Sequence, residues 1–214
     1  MSRLARLEQR YAAHQGGRRE FVFGADERAR LFGRLVGGPG LDVLDLGCRG
    51  GALTASYADG NTVVGVDVDR DSLDRARERL GIETYWCDVE DGLPFPDSSF
   101  DVVVAGELLE HLCDPAGVVA EAVRVLRPGG RLVGSVPNAF RLKGRLRYLA
   151  GRHPETDRTH LQLFTPAALS GLLAGFEMVE VRFAVGRYRR WWPRLMGRVM
   201  VFTGTRPSRR SSGT

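Results

Sequence analysis

Short β-branched runs alternate along this chain with longer stretches whose apolar residues recur at helical spacing. Residues 41–46, 62–66, 82–87, 101–105 and 131–136 are rich in Val, Leu and Ile and read as five strands. Between and before them lie helical patterns at 25–36, 52–58, 70–80 and 115–126. The first puts Leu31, Phe32 and Leu35 on one face and stops at Gly37-Gly-Pro-Gly40. Strictly alternating strands and helices predict a parallel sheet covered on both faces. After Asn138 the pattern changes. Residues 141–151 form a basic amphipathic helix candidate, and 152–160 a polar loop. Thr165 and Pro166 open a helix to residue 173 as N-cap and first position. Residues 176–185 and 198–203 then read as two consecutive strands, a final antiparallel pair.

A length of 214 residues suits one α/β domain with small embellishments. Residues 1–24 read as an N-terminal helical extension, with a helix at 3–14, and 205–214 as a disordered tail. No apolar run is long enough to span a bilayer, and the N-terminus lacks a signal-peptide pattern. Cys48, Cys87 and Cys113 have no paired spacing, so reduced thiols in the cytoplasm are expected. The net charge of +5 comes from arginine, since Lys143 is the only lysine. Cations concentrate at 141–158, 182–198 and 206–210, which suits an anionic substrate, a membrane surface or nucleic acid. No nucleic-acid-reading module accompanies them, which ranks that partner last.

The most informative segment is Leu41-Asp-Val-Leu-Asp-Leu-Gly-Cys-Arg-Gly-Gly51. A buried strand carrying Asp45 runs into a glycine-rich turn, where α/β folds hold nucleoside cofactors. The glycine spacing is not G-x-G-x-x-G, and a carboxylate ahead of the first glycine would repel pyrophosphate. A cationic cofactor suits Asp45 better. Asp67 and Asp88 follow at the ends of the next two strands. A carboxylate after strand two can accept both ribose hydroxyls, and one after strand three can accept from an adenine amine. Singly, each could equally be a turn-forming aspartate.

These motifs, with Val64-Gly-Val-Asp67, Cys87-Asp88-Val89, Phe100-Asp-Val-Val-Val104 and Val125-Leu-Arg-Pro-Gly-Gly130, resemble the class I S-adenosylmethionine-dependent methyltransferases over residues 25–204. The resemblance implies a Rossmann-like three-layer sandwich whose seven-stranded, mostly parallel sheet has an antiparallel last strand. It assigns Asp45 and Gly47 to the methionine end of S-adenosylmethionine, Asp67 to the ribose, and Asp88 with Val89 to the adenine. Cys48, Gly51, Val68 and Gly106 complete the cofactor-binding set. The family usually has glycine where this chain has Arg49. The guanidinium is expected to turn away from the sulfonium, since two cations in contact repel.

Gly106-Glu-Leu-Leu-Glu-His-Leu112 follows strand four directly. If helical, it sets Glu107, Glu110 and His111 on one face above the methyl end of the cofactor. His111 is placed to deprotonate an acceptor hydroxyl, with an ordinary pKa suited to neutral pH. The three groups could equally hold a divalent cation, magnesium or zinc, or only position the cofactor region. With Val136-Pro-Asn138 and Thr159-His160 ahead of Phe164-Thr-Pro166, they look like the quinone-biosynthesis O-methyltransferases. That narrower resemblance implies a metal at Glu107, Glu110 and His111, and cofactor contact by Arg28. Similar motifs occur in methyltransferases of glycan and natural-product gene clusters. His160 would join the site if a lid and acceptor segment at 138–160 folds over it. Residues 187–194, with Trp191 and Trp192, read as an interfacial anchor touching a membrane peripherally, an acceptor-pocket wall, or a packed tryptophan pair. The expected function is O-methylation of a quinone-like, glycan or natural-product small molecule. The alternatives are a non-catalytic cofactor-binding regulatory subunit and a nucleic-acid methyltransferase.

Overall fold

The computed structural model describes residues 4, 7–9, 24–154, 157, 159–186 and 188–208. Most of the proposed N-terminal helix at 3–14, Arg187, and residues 209–214 of the proposed tail lie outside them.

Seven strands form one sheet in the order β3-β2-β1-β4-β5-β7-β6. They are β1 (Asp42–Leu46), β2 (Thr62–Asp67), β3 (Glu83–Trp86), β4 (Phe100–Gly106), β5 (Leu126–Pro137), β6 (Glu177–Ala184) and β7 (Val199–Thr205). The first five pair in parallel, and β7 runs antiparallel to both β5 and β6, so the last strand is the reversed one. Consecutive residues of β1 and β4 point to opposite faces, which explains the continuous Val and Leu runs: both faces are buried. On one face, Leu44, Val66 and Val103 pack beneath Val118, Ala122 and Val125 of α3 (Pro115–Val125) and Leu169 of α5 (Pro166–Leu172). On the other, Val43, Val63 and Val104 meet Phe32 and Val36 of α1 (Ala25–Val36) and Ala76 of α2 (Arg70–Leu80). Full burial of a side chain such as Phe32 stabilises the fold by about 2–3 kcal/mol.

Strand order reverses between β1 and β4, the topological switch point at which open α/β sheets bind ligands beyond the carboxyl ends of the strands. The connections after β5 complete that edge. The helix α4 (Leu142–Leu149) leaves β5, and the short α6 (Pro193–Met196) precedes β7. Asn138 ties the two connections together: its side-chain amide donates to the Arg194 and Gly197 carbonyls at 3.0 and 2.9 Å, and its backbone N–H to the Arg198 carbonyl. Thr165 caps α5, accepting from the Ala168 N–H, with Pro166 first in the helix.

Two local readings are corrected. Residues 52–58 are not an α-helix but a turn with one 3-10 segment, Thr54–Ser56. Asp45 draws the hydroxyls of Thr54 and Tyr57 inward onto one carboxylate oxygen at 2.6 and 2.7 Å, a geometry the tighter winding provides. Nor do Glu107, Glu110 and His111 share a helical face. Glu107 sits at φ 56° and breaks the chain direction before a 3-10 turn at Leu109–His111. No helix of the described residues is long and apolar enough to cross a membrane.

Candidate active site

A two-lobed groove opens at the switch point, its lobes about 150 and 200 Å³. The first lobe runs past Asp67, Val68, Asp88 and Val89, and the second past Arg28, Asp45, Cys48 and Gly106. Gly47, Arg49, Glu107 and His111 line both and so mark the junction. The three strand-end acids therefore border one continuous space. Asp45 is buried, and desolvation pushes its carboxyl up to about 6, partly offset by the two hydroxyls it accepts. Asp67 accepts the backbone N–H groups of Arg49 at 3.0 Å and Asp69 at 2.9 Å. Burial raises its pKa, and those two bonds oppose the rise. Asp88 accepts the Glu90 N–H at 3.0 Å, which fixes the turn after β3.

Gly51 does not face the groove. At φ 73° it turns toward α2, where a Cβ would collide with Leu80, while Gly50 lines the second lobe instead. Arg49 lines both lobes, and its charge acts on His111. The Asp67 carboxylate, which also feels that charge, helps to hold a cation there.

Glu107 leaves the proposed metal set. Its carboxylate accepts the Ser135 hydroxyl at 3.0 Å and lies 3.8 Å from the Arg28 guanidinium. Arg28 donates in turn to Ser135 at 3.1 Å. Arg28 occupies the buried stripe of α1 with Phe32 and Val36, an i, i+4, i+8 series in which a cation replaces the expected apolar residue. That substitution was a readable signal. Its Nε is buried without a hydrogen-bond partner among the described residues.

His111 and His160 do come together, their rings edge to face with centroids 4.9 Å apart. Glu110, His111 and His160 each present one ligand-type atom within 4.8 Å of the others, so His160 takes the place expected of Glu107. The His111 Nδ1 lies 3.2 Å from the Thr159 carbonyl, which can only accept; the proton sits on Nδ1 and Nε2 keeps its lone pair. Burial, with His160 nearby, pushes His111 down to about 4, so the imidazole is neutral at pH 7 rather than half-titrated. Of the proposed lid at 138–160, Asp157, Thr159 and His160 line the groove. Thr159 was read only as part of the Thr159-His160 motif, while Asp157, Leu161 and Ser135 were not singled out, because no local pattern marks them. Trp191 and Trp192 stand exposed, which excludes a packed tryptophan pair.

Residues 44–134, the core of this site, match the family described as "Methyltransferase domain". Over that stretch the chain is similar to a methyltransferase domain. It is similar to a 27-O-demethylrifamycin SV methyltransferase of Amycolatopsis mediterranei, 40% identical over 115 residues (48% of this chain, 41% of the relative). It is also 40% identical over 119 residues to a ubiquinone biosynthesis O-methyltransferase of Hahella chejuensis (53% of this chain, 47% of the relative). The chain thus spans about half the length of these curated relatives. Among solved structures, a SAM-dependent methyltransferase from Archaeoglobus fulgidus superposes with a TM-score of 0.70 at 18% identity, covering 92% of this chain and 99% of its own. That likeness shows that the two share a fold.

Proposed function

We propose that this chain is an S-adenosylmethionine-dependent O-methyltransferase acting on a small molecule, in the range of quinone-like, glycan and natural-product acceptors. The groove fits the cofactor's chemistry. The partnerless Nε of Arg28 suits the methionine carboxylate, Asp45 the ammonium, Asp67 the ribose hydroxyls, and Asp88 with the Val89 backbone the adenine edge. When bound, S-adenosylmethionine supplies a methyl group on a sulfonium, open to in-line displacement. The protein's contribution is orientation and proton removal. The carrying observation is His111, a neutral imidazole at the junction of the lobes, its tautomer set by the Thr159 carbonyl. Its Nε2 can accept the proton of an acceptor hydroxyl as the oxygen attacks. Leu108, Leu112 and Leu161 line the adjoining wall and exclude water. The two O-methylating relatives support oxygen as the methylated atom.

His111→Ala should slow transfer by about 10²–10³-fold while cofactor affinity by calorimetry stays within about twofold. Unchanged turnover would remove His111 from the chemistry. A second reading adds a divalent cation, favoured by the convergence of Glu110, His111 and His160. Two imidazoles and a carboxylate suit such an ion, which would acidify an acceptor hydroxyl. Activity indifferent to chelation and readdition of metal excludes it.

A further inference from the structure

We propose that α4 and the Trp191–Trp192 segment form a docking face for an anionic lipid bilayer, set at the same sheet edge as the groove. The decisive feature is the orientation of α4. At about 100° per residue, Leu142, Leu146 and Leu149 fall within about 60° of one another. Gly144, the buried residue of the helix, lies on the opposite side. A Cβ at Gly144 would run into the Ala139 carbonyl, so this side is pressed against the protein and the leucine stripe is held outward. Leu146 and Leu149 are 58% and 81% exposed. This inverts the amphipathic arrangement of a core-packed helix, whose apolar stripe faces inward.

Charge selects the occupant. Lys143 and Arg147 flank the leucine stripe on one side and Arg145 on the other, the placement that lets cations reach headgroups while leucines enter the acyl boundary. Residues 138–154 contain Arg141, Lys143, Arg145, Arg147 and Arg152 and no acid. Residues 186–205 also lack any acid. There Trp191 and Trp192, 77% and 60% exposed, stand between exposed Arg190 and Arg194. Tryptophan beside arginine is the composition of a membrane–water interface. The Asn138 hydrogen bonds to Arg194 and Gly197 tie the residue just ahead of α4 to the segment just after the tryptophans, which brings these two basic stretches to the same end of the sheet. A second protein copy would have to supply matching acids from a face this basic surface does not contain.

The same connection continues from α4 to Thr159 and Leu161 on the groove wall, where the N–H groups of Leu161 and Gln162 donate to the Glu110 carbonyl at 2.7 and 3.0 Å. Docking would thus bring the groove to the bilayer, and entry of a lipophilic acceptor from that side rests on the methyltransferase reading. Binding itself does not.

The test is flotation of the full chain with phosphatidylcholine vesicles and with vesicles containing phosphatidylglycerol, at low and physiological salt. The protein should float with the anionic vesicles and not the neutral ones, and less at higher salt. Each of Leu146→Glu and Leu149→Glu should lower vesicle affinity about tenfold or more, and Trp191→Ala with Trp192→Ala should lower it as well. All variants should keep wild-type S-adenosylmethionine affinity by calorimetry, which shows that they fold and separates this proposal from the reading of the site. Absence of flotation with anionic vesicles, or flotation that survives both glutamates, overturns it. So does a concentration-dependent dimer that Leu149→Glu dissociates, since a second copy would then be the occupant.

Discussion

Arg49 is the one residue in the glycine-rich turn that brings a charged side chain to the site. It adopts φ 51°, a left-handed conformation that costs an L-residue about 1 kcal/mol, and its backbone N–H is pinned by Asp67. Arg49 lines both lobes of the groove, and its charge acts on His111. A fixed cation there must act on any charged ligand that enters. It should disfavour the sulfonium of S-adenosylmethionine relative to the neutral thioether of S-adenosylhomocysteine by on the order of 1 kcal/mol at an effective dielectric near that of a protein surface. Arg49→Gly and Arg49→Met should therefore each raise the ratio of the two affinities by about fivefold. Taking a ratio cancels the backbone change, and the methionine variant retains the strained conformation without the charge. Identical ratios in wild type and both variants would show that the guanidinium does not sense the sulfonium.

Among the elements, β5 is the one whose sequence carries a hidden packing constraint. Gly134 lies opposite Phe202 of β7, and the aromatic ring folds across the space a side chain would fill. Both are in the sheet centre, and Phe202 is buried. Gly134→Ala should therefore cost on the order of 3 kcal/mol, seen as a fall in Tm of roughly 6–12 °C for a domain of this size. A change of less than about 2 °C would mean that the ring moves aside freely. Nothing in the run Arg131-Leu-Val-Gly-Ser-Val136 announces this, because the constraint comes from a strand about seventy residues later. The same division runs through the fold. The five parallel strands, α1, α2 and the Thr165 cap were readable because burial on both faces and capping chemistry leave local traces. Asp45, Asp67 and Asp88 were readable because strand ends are periodic markers. The fate of Glu107 was not, since a left-handed turn sends it to Ser135 and Arg28, far away in sequence. Nor could the turn at 47–51 reveal that Gly50 faces the groove and Gly51 the helix behind it.

On the scale of the whole molecule, the buried groups of the site act on folding stability with opposite signs. Asp45 has its pKa raised from 3.8 to about 6. Below pH 6 the folded state takes up a proton that the unfolded chain does not, so this group favours folding increasingly as the pH falls toward 4. His111 is lowered from 6.5 to about 4. Between pH 6.5 and 4 it is the unfolded chain that takes up the extra proton, and stability is lost as the pH falls. Each shift corresponds to on the order of 3 kcal/mol over nearly the same window. In the wild type the two oppose each other, and denaturant midpoints of the chelated protein should vary less between pH 6.5 and 4 than those of either variant. Substitution should unmask each half. Asp45→Asn keeps an acceptor for Thr54 and Tyr57 but does not titrate, so its stability should fall steadily through that window. His111→Gln keeps a donor for the Thr159 carbonyl, and its stability should rise instead, with buried Asp67 adding to the rise through its own upward shift. Parallel pH profiles for the three proteins would show that neither group's protonation is coupled to folding. A divergence of the two variants, downward for Asp45→Asn and upward for His111→Gln, would establish that a carboxyl and an imidazole lining one groove set its acid stability together.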